Sequence, residues 1–132
     1  MTKDKTPSIT RINPPELGAP PGYSQIVEVA ASRLIFIAGQ PALDRDGQVV
    51  GKADFAAQAA QVFRNLMVAL EARGCTAASL VKLTVFLTDM SNLAAYREAR
   101  NRFFASVTPP AVTLIEVSKL FDADFMIGIE AA

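Results

Sequence analysis

The apolar positions of this sequence fall into several short runs and one longer stretch with helical spacing, which together predict both strands and helices. Runs rich in β-branched and aromatic residues, bounded by Gly, Pro, Asp and Asn, are typical of strands. Such runs predict five strands, at residues 26–30, 34–38, 81–87, 112–117 and 125–131. The separator Ala31-Ser32-Arg33 between the first two runs is short, which predicts a hairpin.

Two stretches predict helices. Between Asp54, a good N-cap, and Gly74, a good C-terminal stop, apolar residues recur at helical spacing and predict an amphipathic helix. A second helix is predicted from Leu93 to about Ser106, because Pro109-Pro110 prevents its continuation. The predicted order is therefore ββαβαββ, an α+β chain, preceded by an extended, proline-rich segment over residues 1–22.

The predicted sheet carries apolar side chains on both faces, although two helices can cover only one of them. The strands at 34–38 and 125–131 are apolar on both sides, and the strand at 81–87 places Phe86 opposite its aliphatic residues. A sheet that is apolar on both sides buries its second side against a partner. A copy of the same chain is the simplest partner, so the sequence predicts a homo-oligomer.

Composition narrows the function classes. The chain has 132 residues, of which 51% are hydrophobic and 20% charged, with thirteen basic and thirteen acidic side chains. These values predict a single domain over residues 1–132 that has no electrostatic attraction to nucleic acid or to an anionic membrane. No apolar run reaches the roughly 18 residues that span a bilayer, and residues 1–13 lack a signal-peptide core, so a cytoplasmic location is expected.

Two residue types that often carry chemistry are scarce. The sequence contains no histidine, the usual general base and metal ligand, and one cysteine, Cys75, which excludes an intrachain disulfide. Asp44 and Asp46 flank a turn and do not form a convincing metal pair. We therefore expect no metal and no cofactor. Any catalysis is expected to use carboxylates, Arg, Lys, Tyr, hydroxyl groups, backbone N–H groups and water.

A series of short motifs, each weak alone, occurs in one order along roughly residues 18–132. The motifs are Gly22-Tyr23-Ser24-Gln25, Ile37-Ala38-Gly39-Gln40-Pro41, Gln58 and Asn65, VKLTVFLTDM over residues 81–90, Phe103-Phe104, Pro110-Ala111, Ile115-Glu116-Val117 and Ile129-Glu130-Ala131. In this order and spacing the sequence resembles the Rid (YjgF-like) family, also called the endoribonuclease L-PSP family. The resemblance implies a chorismate-mutase-like fold with a mixed sheet and two helices on one face. It also implies a homotrimer whose sheets form a central barrel, with residues 1–17 as an extended lead-in.

The resemblance further implies a small-molecule cleft between subunits and the residues that line it. Tyr23 and Gly39, whose N–H can bind a ligand oxygen, match the family pattern, whereas two other positions depart from it. The family's deaminases carry an Arg that clamps a substrate carboxylate where this chain has Val112. They carry a Glu that helps to activate water where this chain has Gly128. Removing both charges together avoids leaving one unpaired, which predicts a cleft adapted to a less charged ligand.

Several other side chains are candidates for the cleft, each with a plainer alternative. Arg97, with Arg100 three residues further on the same helix face, is a candidate substitute for the carboxylate anchor; the alternative is a solvated helix face. Glu130, two residues after Gly128, shares its strand face and is a candidate to hold a displaced water. The alternative for Glu130, which we favour, is a carboxylate paired across a subunit boundary.

Three further residues have open roles. Tyr23 either closes the cleft and hydrogen-bonds a ligand or is an interface aromatic residue. Thr113 is a short polar candidate for the cleft lining, although strand edges contain many such residues. Glu116 has the same strand parity as Val112 and is a weaker candidate than Glu130.

Three functions are compatible with these residues. The first is hydrolytic deamination of a small enamine or imine, as in 2-iminobutanoate/2-iminopropanoate deaminases, because an imine needs little beyond orientation, a positioned water and fixed dipoles. The second is a non-catalytic trimer that binds a small molecule, which the apolar residues at both catalytic positions favour. The third is ribonuclease activity, which zero net charge and the lack of histidine make the least favoured. The sequence does not decide whether the chain is an enzyme.

Overall fold

The computed structural model describes residues 8–30 and 33–132. Within these ranges the chain forms six strands and two α-helices in the order βββαβαββ. The elements are β1 (Ser8–Ile12), β2 (Ile26–Ala30), β3 (Ile37–Gln40), α1 (Phe55–Glu71), β4 (Lys82–Leu87), α2 (Leu93–Phe104), β5 (Ala111–Glu116) and β6 (Ile127–Ala131). None of the helices in the described ranges combines the length and the hydropathy needed to cross a membrane.

Four strands form a mixed sheet in the order β3-β6-β4-β5. β4 and β5 are parallel, and α2 lies in the connection between them, because parallel neighbours need a long crossover. β6 is antiparallel to both β3 and β4. The mixed sheet and the two helices confirm the predicted α+β fold class.

The predicted hairpin between residues 26–30 and 34–38 is wrong. β2 pairs instead with β1, in an antiparallel ladder that runs from Ser8 and Ala30 to Ile12 and Ile26. β3 begins only at Ile37 and pairs with β6, so the first two predicted strands lie in different sheets. The sequence did not predict β1, because SITRI lacks the strict alternation of a half-buried strand. Residues 1–7, in the predicted lead-in, and residues 31 and 32, in the predicted turn, lie outside the described residues.

The first helix begins where the sequence predicts. The Asp54 carboxylate accepts a hydrogen bond from the Ala57 N–H at 3.1 Å, which satisfies one of the free donors of the first turn. α1 ends at Glu71, slightly before the predicted stop, and Gly74 then turns the chain with a φ of +70°. Its buried residues follow one face: Phe55, Gln58, Ala59, Val62, Phe63, Leu66 and Leu70.

The two helices cover one face of the sheet. In β4 the three aliphatic residues with odd numbers are fully buried in the same core as the buried face of α1. The alternate residues Lys82, Thr84 and Phe86 are only partly buried. We call the side of the sheet that carries these three residues the open face.

The open face carries large apolar side chains. Phe36 is 79% exposed and Phe121 is 81% exposed. Ile115, the neighbour of Phe86 in the β4–β5 ladder, is 40% exposed. A single chain therefore has the two-sided apolar sheet that the sequence predicts, and surfaces of this kind are typical of protein interfaces. The homo-oligomer itself stays a prediction.

Candidate functional site

Gly39 and Gly128 line the same cleft on the open face, although they are far apart in the sequence. Gly39 lies in β3 and Gly128 in β6, two strands that pair. Other walls of the cleft come from Phe86, Leu120 and Phe121, and its volume is about 220 Å³. We call it the glycine cleft. It brings together two of the positions that the family resemblance assigns to a ligand site.

A β-bulge shapes the backbone at Gly39. Ile37 pairs with Ala131, but Gln40 pairs with Ile129, so β3 has one extra residue over this interval. A bulge leaves one residue out of the regular ladder and often occurs beside active sites. Gly39 is exposed, and a Cβ built on it would meet no atom within 4 Å. The backbone at Gly39 is therefore accessible to a ligand.

Gly128 leaves empty space in the cleft. It pairs with Phe86 in the β4–β6 ladder. A Cβ built on Gly128 would lie 3.8 Å from the Gln40 carbonyl oxygen and 3.8 Å from Leu120 Cδ1, which are ordinary van der Waals distances. Its φ is not positive, so the backbone does not require glycine here. The position accepts a side chain, and the absence of one makes the cleft larger.

Glu130 has the same strand parity as Gly128 but lines a different depression. It pairs with Thr84 and, together with Lys82, lines a broader hollow of about 500 Å³. Lys82 Nζ in turn donates a hydrogen bond to Thr113 Oγ1 at 2.5 Å. These residues form a polar patch on the open face. Within one chain, neither Glu130 nor Thr113 lines the glycine cleft.

Val112 lies away from the glycine cleft. It pairs with Leu83 in the parallel β4–β5 ladder, and laterally paired residues of a ladder point to the same face of the sheet. Leu83 is fully buried, and Val112 packs against the same core. Within one chain, Val112 is therefore a residue of the helix-covered face, opposite to the face that carries Gly128.

Tyr23 is anchored beside the start of β5. The neighbouring Ser24 is buried, and its N–H donates to the Pro110 carbonyl oxygen at 2.8 Å. The Ser24 hydroxyl donates to the Pro109 carbonyl oxygen at 2.7 Å. Tyr23 itself is half-buried. Tyr23 lies beside β5, whereas Gly128 lies in β6, and β4 separates these two strands in the sheet. Within one chain, Tyr23 therefore does not line the glycine cleft.

The two candidate arginines of α2 have different surroundings. Arg97 is exposed. The Arg100 guanidinium lies over the Tyr96 ring, with Cζ 5.9 Å from the ring centroid, and donates to Asn101 Oδ1 at 3.1 and 3.2 Å. It also packs so closely against Gly22 that a Cβ there would overlap it. Arg100 is therefore engaged within its own subunit, whereas Arg97 is available at the surface.

The weaker candidates from the sequence have structural roles. Glu116 Oε1 accepts a hydrogen bond from the Met90 N–H at 2.8 Å, in the turn that leads into α2. Asp44 Oδ1 accepts hydrogen bonds from the N–H groups of Asp46 and Gln48, both at 2.9 Å, and so stabilises its own loop. These contacts account for both carboxylates without a ligand.

One wall of the site was not predicted from the sequence. Leu120 and Phe121, which wall the glycine cleft, lie in a segment predicted only as a turn. Two large apolar residues in a predicted turn were the signal in the sequence that could have indicated this wall. Outside the site, in the core beneath α2, the Tyr96 hydroxyl is buried and has no hydrogen-bond partner among the described residues. Burial raises the pKa of Tyr96 to about 12, and the nearby Arg100 charge opposes this shift.

Known proteins match most of the chain. The sequence pattern of the family described as Endoribonuclease L-PSP matches residues 15–132. Protein DfrA of Myxococcus xanthus is 38% identical over 98 residues, which is 74% of each chain. The 2-iminobutanoate/2-iminopropanoate deaminase of Escherichia coli strain K12 is 36% identical over 112 residues, which covers 83% of this chain and 84% of that protein.

A solved structure agrees with the fold as well as with the sequence. The crystal structure of YyfB from Yersinia pestis, a protein of unknown function of the conserved Rid family, superposes with a TM-score of 0.86 at 34% identity. The superposition covers 93% of this chain and 96% of that one. Fold, motifs and relatives agree, and the chain belongs to the endoribonuclease L-PSP family, which is the Rid (YjgF-like) family that its motifs resemble.

Proposed function

We propose that this protein hydrolyses the C=N bond of a small imine, or of the imine that forms when an enamine tautomerises, in a cleft completed by neighbouring copies of a homotrimer. The observation that carries the proposal is the meeting of Gly39 and Gly128 in one accessible cleft. A relative that covers most of the chain is named a 2-iminobutanoate/2-iminopropanoate deaminase. In the reaction, water adds to the C=N carbon and a proton moves to nitrogen. The C–N bond then breaks, which releases ammonia and a carbonyl compound.

The glycine cleft of one chain is only part of a site. Its volume of about 220 Å³ is smaller than the roughly 300–1,000 Å³ of typical ligand sites. Phe121, one of its walls, and Phe36, in the neighbouring hollow, are both largely exposed. A second copy on the open face would bury these rings and add the missing wall, which supports an oligomer with its sheets facing inward. The family resemblance implies that this oligomer is a trimer.

A neighbouring copy also supplies the carboxylate anchor in this proposal. The described lining of the glycine cleft contains no cationic side chain. A guanidinium binds a carboxylate through two parallel hydrogen bonds, so an arginine is the residue to seek. Arg97 is exposed, whereas Arg100 is held against Gly22 and Tyr96. Of the two arginines that the sequence proposes for this role, we therefore choose Arg97.

The remaining roles belong to Gly39, Glu130 and Tyr23. The backbone N–H at the β3 bulge binds a ligand oxygen and stabilises developing charge. Glu130 lines the neighbouring hollow of the open face, two residues after Gly128 on the same side of β6, and we assign to it the proton of the attacking water. Tyr23, fixed at the start of β5 by Ser24, closes the cleft from a neighbouring copy. Orientation accounts for most of the rate in this mechanism, because imines are already reactive.

A trapping assay tests the proposal. An amino-acid oxidase generates 2-imino acids, semicarbazide traps them, and the purified protein competes for them. We expect the protein to lower trapping and Arg97→Ala to weaken this effect about tenfold or more, as for the loss of a charged hydrogen-bond pair. Arg102→Ala, which removes another exposed arginine of α2, should have no effect. Trapping of every imino acid at the uncatalysed rate would contradict the proposal.

A second candidate function is ligand binding without catalysis. It is favoured by the described lining of the glycine cleft, in which no residue is ionisable. Such a protein would be stabilised by a ligand in proportion to RT ln(1 + [L]/Kd), which is about 2.7 kcal/mol at one hundred times Kd. A rise in melting temperature with a keto acid, together with no turnover of the corresponding imine, would establish this function in place of the first.

A further inference from the structure

Most of the side chains that line the glycine cleft are apolar. Phe86, Leu120 and Phe121 surround the space beside Gly128. Phe125 supports Phe121 in an edge-to-face pair, with ring centroids 4.9 Å apart and planes at 70°. Phe121 remains 81% exposed in one chain, so the pair leaves ring surface available for contact. This is the lining of a pocket for an apolar group.

These apolar walls border the space at Gly128. The nearest atoms to a built Cβ are the Gln40 carbonyl oxygen and both Cδ atoms of Leu120, at 3.8 to 4.0 Å. The Gln40 side-chain amide donates to the Ala38 carbonyl oxygen at 3.0 Å. A charged group placed at this point would lose water and find no described counter-ion, which disfavours it strongly. An aromatic or branched aliphatic group would find van der Waals contacts instead.

We propose that the glycine cleft selects imines and enamines that carry a bulky, uncharged side chain, aromatic or branched aliphatic, over those with a short or acidic side chain. The inference rests on the proposed function for the chemistry, and on Gly128 and the apolar walls for the selectivity. The side chain of the substrate occupies the volume left by the missing side chain at residue 128. The reaction is unchanged: water and the imine give ammonia and the ketone, with no oxidant or reductant.

Turnover of matched substrates tests the selectivity. The trapping assay is run with imines generated from phenylalanine, leucine, alanine and aspartate. We expect kcat/KM for the first two to exceed that for the last two by about tenfold or more, a usual ratio for an apolar pocket. Gly128→Val should remove most of this advantage, because its methyl groups fill the pocket. Gly128→Ala, whose Cβ meets only ordinary contacts, should have a smaller effect of the same sign.

Two controls accompany these variants. Ala94→Val places the same valine side chain at an exposed position of α2 and should leave the substrate order unchanged. Gly128→Ala keeps the test decisive if Gly128→Val does not fold. A preference for the alanine or aspartate imine, or equal turnover of all four in the unmodified protein, would overturn the inference.

A binding measurement separates failure of the inference from failure of the proposed function. Phenylpyruvate and pyruvate share a keto acid group and differ in the side chain, so the difference in their melting-temperature shifts reports the pocket alone. We expect a larger shift with phenylpyruvate, which Gly128→Val abolishes. This result without any imine turnover would reject the deaminase and keep the apolar pocket. Equal melting-temperature shifts with the two keto acids, or no shift with either, would overturn the inference of an apolar pocket, whether or not the protein turns over imines.

Discussion

Tyr96 shows how strongly the fold changes the chemistry of one residue. Its side chain is 1% exposed, its ring lies near that of Phe63 with centroids 6.4 Å apart, and its hydroxyl has no partner among the described residues. A phenolate in this position would lose its hydration, so burial raises the pKa of Tyr96 to about 12. The guanidinium of Arg100 above the ring offsets only part of this effect.

The raised pKa of Tyr96 predicts a loss of stability in alkaline solution. The unfolded chain loses this proton at about pH 10 and the folded chain at about pH 12, so the folded state binds more protons between these values. The contribution, about 3 kcal/mol, is complete below pH 10 and is lost as the pH rises through 12. In urea unfolding at several pH values, we expect the unmodified protein to lose stability more steeply than Tyr96→Phe.

Neutral pH provides the control for this comparison. There Tyr96→Phe should be at least as stable as the unmodified protein, because the variant removes a buried hydroxyl that has no described partner. Parallel stability curves above pH 10 would show that Tyr96 does not carry the effect.

Between elements, Gln58 connects α1 to the segment that enters β6. The residue is fully buried. Its Nε2 donates to the carbonyl oxygens of Asp124 at 2.7 Å and Gly51 at 3.2 Å, and its Oε1 accepts from the Met126 N–H at 2.9 Å. One side chain therefore satisfies three backbone groups in two loops. The sequence identified Gln58 as part of a family motif, but this role depends on contacts with distant residues.

Replacing Gln58 should weaken the whole fold. Gln58→Met keeps the length of the side chain but leaves buried backbone groups without partners, which we expect to lower the free energy of unfolding by about 3 kcal/mol. Gln61→Met is the control, since Gln61 is only half-buried and bonds to Leu43 and Asn65. Urea unfolding measures both variants. A loss in Gln58→Met no greater than that in Gln61→Met would contradict the role.

Secondary structure was predictable from sequence where local spacing determines it. Helices α1 and α2 and strands β4, β5 and β6 follow patterns within single segments. The pairing of β2 with β1 was not predictable, because pairing depends on which distant segment approaches a strand. The bulge in β3 is a similar case, since it exists only relative to the register of β6.

At the scale of the whole molecule, the open face predicts the oligomer. The unmodified protein should have three times the chain mass of 14.1 kDa in size-exclusion chromatography with light scattering. Phe36→Glu places a charge on the open face and should dissociate the trimer, because burying an unpaired charge is costly. Val68→Glu is the control: Val68 is 61% exposed on α1, on the helical side. Equal behaviour of the two variants would contradict the proposed interface.

The sequence by itself determined the α+β class, most of the elements, the apolar character of both sheet faces and the family resemblance, because each depends on residue order and spacing. Only the tertiary structure decided that Gly39 and Gly128 share a cleft, that Val112 faces the core, and that Arg100 is held within its subunit while Arg97 is exposed. These facts depend on strand order, ladder register and packing between distant segments, which local spacing does not encode.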